Sequence, residues 1–141
     1  MNQSNLVLID TSFMVALYHH NDKYHRAALS FASQSNYQAL LPEVALTETA
    51  FLLQRSGGLR SVQYFLDDLQ IGGTVIQSLT LRDIDRARNI MTEYASANLD
   101  FVDCCLMALS ERLNVTRVCT FDRRDFSIFR PKHCEYLELL P

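Results

Sequence analysis

The sequence predicts an α/β fold of three layers, with helices on both faces of a central parallel sheet of four to five strands. Short continuous apolar runs, Leu6-Val7-Leu8-Ile9 first among them, fit strands buried on both faces better than strands with a wet side. These runs alternate with longer stretches whose apolar residues recur at helical spacing. Such alternation implies right-handed crossovers and a parallel sheet. At 141 residues the chain has room for a single domain, residues 1–141, and no second one.

The first strand, 6–9, ends on Asp10, and a helix follows from about Ser12 to Tyr18. After a polar turn holding His19 and His20, which read as solvated, a second helix runs from about Asp22, as N-cap, to Ser33, with Ala27, Ala28, Phe31 and Ala32 as its apolar face. Gln38 to Leu41 reads as a short weak strand. Pro42 suits the first position of a helix over 43–54, Gly57-Gly58 stops it in a left-handed conformation, and a further helix covers about 59–69. Gly72-Gly73 turns the chain into the β-branched strand 74–77. Thr80 and Asp83 form a capping box for a helix reaching Tyr94. Asp100 opens another helix to about Leu113, 117–120 is the next strand, broken at Phe121-Asp122, and the tail from Cys134 to Leu140 offers an edge strand.

Composition narrows the function. The 48% hydrophobic and 21% charged shares are those of a globular chain, which excludes disorder as a description of the whole. A net charge of −3, from 13 basic and 16 acidic residues, excludes a protein that coats nucleic acid through basic excess; any nucleic acid must be gripped locally. No apolar run reaches the ~18 residues of a membrane span, and Met1–Asn5 lacks a signal-peptide pattern, so a cytoplasmic location is expected. Of the four cysteines, Cys104 and Cys105 are adjacent and no C-x-x-C occurs, so buried free thiols are expected rather than disulfides or zinc.

Acids stand in apolar company. Asp10 and Asp122 close strands, Glu48 sits in Val44-Ala45-Leu46-Thr47-Glu48-Thr49-Ala50-Phe51, and Asp103 in Phe101-Val102-Asp103-Cys104-Cys105-Leu106. An isolated buried charge costs several kcal/mol, and cationic partners are scarce in these segments. In an open parallel sheet ligands bind beyond the carboxyl ends of strands, where Asp10 and Asp122 fall. Asp100 and Asp103 share a helix amino terminus, and each also suits a plain cap role. Converging carboxylates repel, and a hard divalent cation, Mg²⁺ or Mn²⁺, relieves that repulsion.

Asp10-Thr11-Ser12, Glu48 in a helix, Leu99-Asp100-Phe101-Val102-Asp103-Cys104-Cys105-Leu106 and Thr120-Phe121-Asp122-Arg123-Arg124-Asp125-Phe126 together resemble the PIN-domain ribonucleases, specifically the VapC toxins of toxin–antitoxin pairs. The likeness spans nearly the whole chain; Cys104 departs from it where alanine is common in the family. It implies Mg²⁺- or Mn²⁺-dependent endonucleolytic cleavage of RNA, of tRNA or rRNA in this family, leaving 5′-phosphate and 3′-hydroxyl ends. Asp10, Glu48, Asp103 and Asp122 fall on the acidic positions, Asp10 and Asp103 as principal metal ligands, with Asp100 and Asp125 as secondary candidates. The resemblance also implies a homodimer restrained by a VapB-like antitoxin. The helix over 59–69 and the apolar residues of 43–54 are candidate partner surfaces, with core packing as the ordinary alternative.

Thr11 and Ser12 are candidates to bind a phosphate or orient Asp10, while Arg123 and Arg124, within a basic group with Arg112, Arg117, Arg130 and Lys132, are candidates to grip RNA. Rival chemistry fits less well. A haloacid-dehalogenase-type phosphatase wants an aspartate where Ser12 stands, a receiver domain wants a lysine after its last strand, and the glycines are spaced for turns rather than a phosphate cradle. No Ser-His-Asp or Cys-His pattern is persuasive. A non-catalytic PIN-like scaffold that binds RNA or protein is the alternative, disfavoured because all four principal acids are present.

Overall fold

The structure, a computed structural model, describes residues 3–141, so Met1 and Asn2, with part of the signal-peptide reading, lie outside the described residues. Strands β1 (Leu6–Ile9), β2 (Gln38–Pro42), β3 (Val75–Gln77), β4 (Arg117–Cys119) and β5 (Glu138–Leu140) form one five-stranded sheet in the order β3-β2-β1-β4-β5. Every pairing is parallel, with Leu8 opposite Leu40 on one side and Val118 on the other. β1 is buried along its whole length, as its unbroken apolar run requires.

The crossovers leave β1 in opposite directions. Helices α1 (Thr11–Tyr18), α2 (His25–Gln34) and α3 (Glu43–Ile71) lead through β2 to β3, while α4 (Leu81–Glu93) and α5 (Phe101–Leu113) lead back across to β4. With right-handed crossovers these two helix groups cover opposite faces. The reversal opens a crevice beyond the carboxyl ends of β1 and β4, the switch point at which α/β folds place ligands. A short helix, α6 (Arg124–Ile128), follows β4 and leads to β5. The core joins Leu8, Leu41, Leu53, Phe65, Ile90, Leu106 and Phe126 across the layers.

Several local expectations change. Asp22 does not cap α2, which begins at His25; its Oδ1 accepts the Tyr24 N–H at 2.8 Å, a side-chain turn that uses the same chemistry as a cap. Pro42 ends β2 and is the N-cap of α3, one position before the first helical residue. The helix from Glu43 breaks once, at Gly58, where φ is 71° and ψ is −164°, a conformation open in practice only to glycine, so the expected two helices are there. The Thr80–Asp83 capping box is present in full. The four cysteines are free, and burial pushes the Cys104 and Cys119 thiols up to about 12 and Cys105 to about 11. Among the described residues no helix is long and apolar enough to cross a membrane.

Candidate active site

Asp10 is the first residue past the central strand. Its backbone N–H still donates to the Cys119 carbonyl of β4 at 3.0 Å, and its own carbonyl accepts from Phe13 and Met14, so the strand passes into α1 with no intervening loop. The carboxylate, 3% exposed, is held from two elements: the Ser12 and Thr120 hydroxyls each donate to Oδ2 at 2.8 Å. Both hydroxyl oxygens also accept the Asp122 N–H, at 3.3 and 3.0 Å, and Ser12 accepts that of Phe121 at 3.0 Å. The start of α1 and the turn after β4 are thereby tied through one carboxylate. Thr120, fully buried, figures in the sequence only as the head of the 120–126 motif, with no role assigned; nothing in that motif shows that its hydroxyl reaches across to Asp10.

Asp103 comes from the first turn of α5 and is 6% exposed. Asp100 is the N-cap, accepting the Val102 N–H at 3.3 Å. The Asp100 N–H is taken by Asp125 Oδ2 at 3.0 Å, the position a capping box would give to Asp103. Asp125, buried in α6, thus completes the cap in place of Asp103. Its Oδ1 accepts from Arg124 Nη1 at 2.8 Å, which commits both carboxylate oxygens. Burial, then the charge of Asp10, then contact with and charge of Asp125, and the charge of Asp100 push the Asp103 carboxyl up to about 9. Asp10 is also raised, by burial first, with Asp122 adding to it against the lowering effect of its hydrogen bonds.

Asp10, Glu48, Asp100, Asp103 and Asp122 line one open cavity of about 440 Å³, with Thr11 and Ser12 on its wall. Glu48 reaches it from α3, half-buried, and Asp100 and Asp122 from the exposed rim. Asp22, Lys23, Tyr24 and Phe121 complete the wall; the first three have no site role in the sequence reading, because the turn after α1 carries no pattern of its own, and Phe121 figures in it only as a member of the 120–126 motif. Asp125, Arg123 and Arg124 do not line it. Arg123 donates to the Pro141 carbonyl, and Arg124 holds Asp125 and the Ala97 carbonyl. Arg112 pairs with Asp83 and Arg117 with Glu138, so the expected basic grip is largely spent on internal pairs.

Among the described residues none of the cavity acids forms an ion pair, and no three histidines, cysteines or carboxylates stand close enough to grip one ion as they are. The donor set nonetheless suits a hard cation. It is all oxygen, two of its carboxylates are buried without a counter-charge, and the buried Thr11 hydroxyl, on the same wall, has no hydrogen-bond partner.

The fold and this acidic switch-point cleft define a class of nuclease-like α/β domains, and comparison makes the assignment specific. The PIN domain model matches residues 7–130, and the chain belongs to the PIN domain family. It is 24% identical over 125 residues to Ribonuclease VapC26 of Mycobacterium tuberculosis, covering 89% of this chain and 93% of that protein. Its structure is similar to that of M. tuberculosis VapC20, a sarcin–ricin loop cleaving toxin, with a TM-score of 0.82 at 19% identity over 96% of this chain and 99% of that one. It is also similar to VapBC2 of Rickettsia felis bound to a DNA fragment from its promoter, with a TM-score of 0.66 at 17% identity over 95% and 96% of the two chains.

Proposed function

We propose that the chain, a single domain over residues 1–141, is a VapC-type endoribonuclease that depends on Mg²⁺ or Mn²⁺ and cuts tRNA or rRNA. What carries this reading is the convergence of Asp10, Glu48, Asp103 and Asp122 on one cleft, without cationic partners among the described residues, at the switch point of a PIN fold. Asp10 and Asp103 would hold the cation, with Glu48 and Asp122 ligating through water or holding a second ion. Asp100 would stand beside them, and Asp125 would serve as support for Asp100 and Asp103. The cation, when bound, supplies activated water at neutral pH and offsets charge on the phosphate.

The protein's own share is positional. Ser12 and Thr120 fix the Asp10 carboxylate in one orientation, so it is ready for charge without rearrangement. The Thr11 hydroxyl, buried and unpartnered beside Asp10, would have to turn toward the cleft to meet a phosphate oxygen. Hydrolysis would leave 5′-phosphate and 3′-hydroxyl ends. Because Arg123 and Arg124 face away from the cavity, any contact they make to RNA would lie outside the cleft.

The related toxins extend the reading to control. A VapB-like antitoxin would restrain the enzyme, which would act as a homodimer in the cytoplasm. α3 offers a surface for these contacts: Phe51, Leu59, Tyr64 and Ile71 are exposed on it while Leu53 and Phe65 are buried. The test is cleavage of total RNA by purified protein free of antitoxin, with Mg²⁺ or Mn²⁺ and with EDTA, mapping fragment ends. Discrete cuts bearing 5′-phosphates, lost in EDTA and in Asp103→Asn, are expected; metal-independent cutting, or cutting retained in folded Asp103→Asn, would overturn the assignment.

A further inference from the structure

The acidic cleft has one wall of a different character. The Tyr24 ring lies flat on Phe121, with centroids 4.4 Å apart and planes within 1°. Phe121 stacks in turn on Phe13, at 5.7 Å and 11°. Phe13 is buried in the core, so the column is anchored at its inner end, while Tyr24 is 38% exposed and lines the cavity. Phe121 is also registered to the acids, since its N–H donates to the Ser12 hydroxyl that holds Asp10. Lys23, among the described residues the one cation lining the cavity and one that makes no ion pair with them, rests its Nζ 4.9 Å from the Tyr24 ring centre.

We propose that Lys23, Tyr24 and Phe121 form a seat for one unpaired nucleotide beside the acidic centre, an inference that rests on the endoribonuclease reading and adds a substrate-positioning site to it. The base stacks on Tyr24, extending the column of rings by one, and the Lys23 ammonium leaves the ring for the phosphate of the same nucleotide. A cleft lined by carboxylates repels a phosphodiester wherever the cation does not offset it, and stacking adds an attraction for RNA that this charge does not oppose. A rigid, pre-stacked ring loses little freedom when a base lands on it, and the four-carbon lysine stem moves at small cost. The seat selects unpaired RNA, because a base held in a duplex cannot present its face.

The chain contains no tryptophan, so Tyr24→Trp gives a single fluorescent reporter on the seat. The probe is a mixed-sequence single-stranded heptaribonucleotide, compared with an abasic heptamer carrying the same phosphates, titrated with Mg²⁺ into Tyr24→Trp in an Asp103→Asn background that leaves RNA intact. Quenching by the base-bearing oligomer, with about 10-fold weaker binding of the abasic one, is expected. In cleavage assays Tyr24→Ala raises KM about 10-fold with kcat nearly unchanged, Tyr24→Phe restores it, and Lys23→Ala raises KM for both. Equal responses to the two oligomers, or wild-type KM in Tyr24→Ala, would overturn the seat while leaving cleavage by the wild type intact. Quenching specific to bases in a protein that shows no metal-dependent cleavage would instead retain the seat and remove the nuclease reading.

Discussion

At the carboxyl end of α5, Arg112 donates through Nε and Nη2 to the two carboxylate oxygens of Asp83 at 2.8 and 3.0 Å. At its amino end Asp103 faces Asp10, Asp100 and Asp125, all acids. Asp83 and Asp103 are both closed to solvent, at 2% and 6% exposure, but Asp103 lies deeper among protein atoms, and their carboxyls move in opposite directions. Burial pushes Asp83 up, but its bonds to Arg112 and Thr80 outweigh that and leave it below the usual value, whereas nothing offsets burial at Asp103 and it rises to about 9. Burial alone therefore does not identify a functional acid. Depth and partner separate the two: one carboxylate, shallower, completes a helix cap and an ion pair, and the other, deeper, is left uncompensated in a cleft.

The largest contrast is expected from removing each charge in turn. Asp103→Asn should lower RNA cleavage by at least about 100-fold while raising the melting temperature of metal-free protein near neutral pH, since it removes the cost of taking up a proton on folding and keeps the shape. Asp83→Asn should do the reverse, leaving cleavage unchanged and costing about 2 kcal/mol in urea unfolding. That figure lies between the value of an exposed pair and the ~3–5 kcal/mol of a fully buried one, because the Arg112 side chain is 34% exposed. Equal effects of the two substitutions on both readouts would erase the distinction.

A pH series sharpens the same contrast. The folded state holds the Asp103 proton up to about 9, whereas the unfolded chain releases it near 3.8, so stability from this group is complete at low pH and is lost as pH rises across that window. Asp10, also raised, has the same sign. Asp83 has the opposite sign: lowered in the fold, it contributes stability above the usual carboxylate value and loses it as pH falls. Metal-free protein should thus lose stability from mildly acidic to alkaline pH. Asp103→Asn should flatten that limb, Asp83→Asn should flatten the acid limb, and thermal unfolding across pH reads both.

The paired and unpaired ends differ in how far the sequence reveals them. Thr80 and Asp83 form a local box, three residues apart, and were legible as such; so were the acids as candidates, because carboxylates that close apolar strands, Asp10 and Asp122, or interrupt apolar helical segments, Glu48 and Asp103, are visible without a partner. Arg112 as the Asp83 partner, 29 residues away, was not legible, nor was Asp125 capping Asp100 from 25 residues away. Arg123 and Arg124 resemble an RNA grip in sequence because a backbone carbonyl, such as those of Pro141 and Ala97, leaves no mark on side-chain pattern. A parallel sheet of four to five strands followed from the alternation of elements, though its order β3-β2-β1-β4-β5 did not, and the Asp22 turn imitated a cap because both use a carboxylate to accept a nearby N–H.

Intermediate effects are expected where hydroxyls hold the unpaired end. Ser12→Ala and Thr120→Val each remove one donor to Asp10 Oδ2, and a hydrogen bond to a charged group contributes about 1.5–3 kcal/mol. Cleavage should fall by about 10-fold in each and by less than the product in the double variant, because the two hydroxyls hold the same carboxylate oxygen and lie only 3.1 Å apart. Strict additivity in kcat would show that the two hydroxyls act on Asp10 independently.

The smallest effect should come from Asp125, the acid that belongs to both patterns. It is buried beside Asp103 as a cleft acid would be, yet it is bonded to Arg124 and the Asp100 N–H as a structural acid would be. In Asp125→Asn the amide oxygen still accepts the Asp100 N–H, and the lost ion pair is weak because Arg124 is 60% exposed, so stability should change by about 0.5 kcal/mol or less. With one negative neighbour gone, Asp103 should release its proton below the present value of about 9, moving the upper edge of the stability window down in the same pH series. Cleavage should stay within about 3-fold of the parent, well short of the loss from Asp103→Asn. A loss as large as that of Asp103→Asn would make Asp125 a member of the unpaired set, and the cap it completes at the start of α5 would then be incidental to its role.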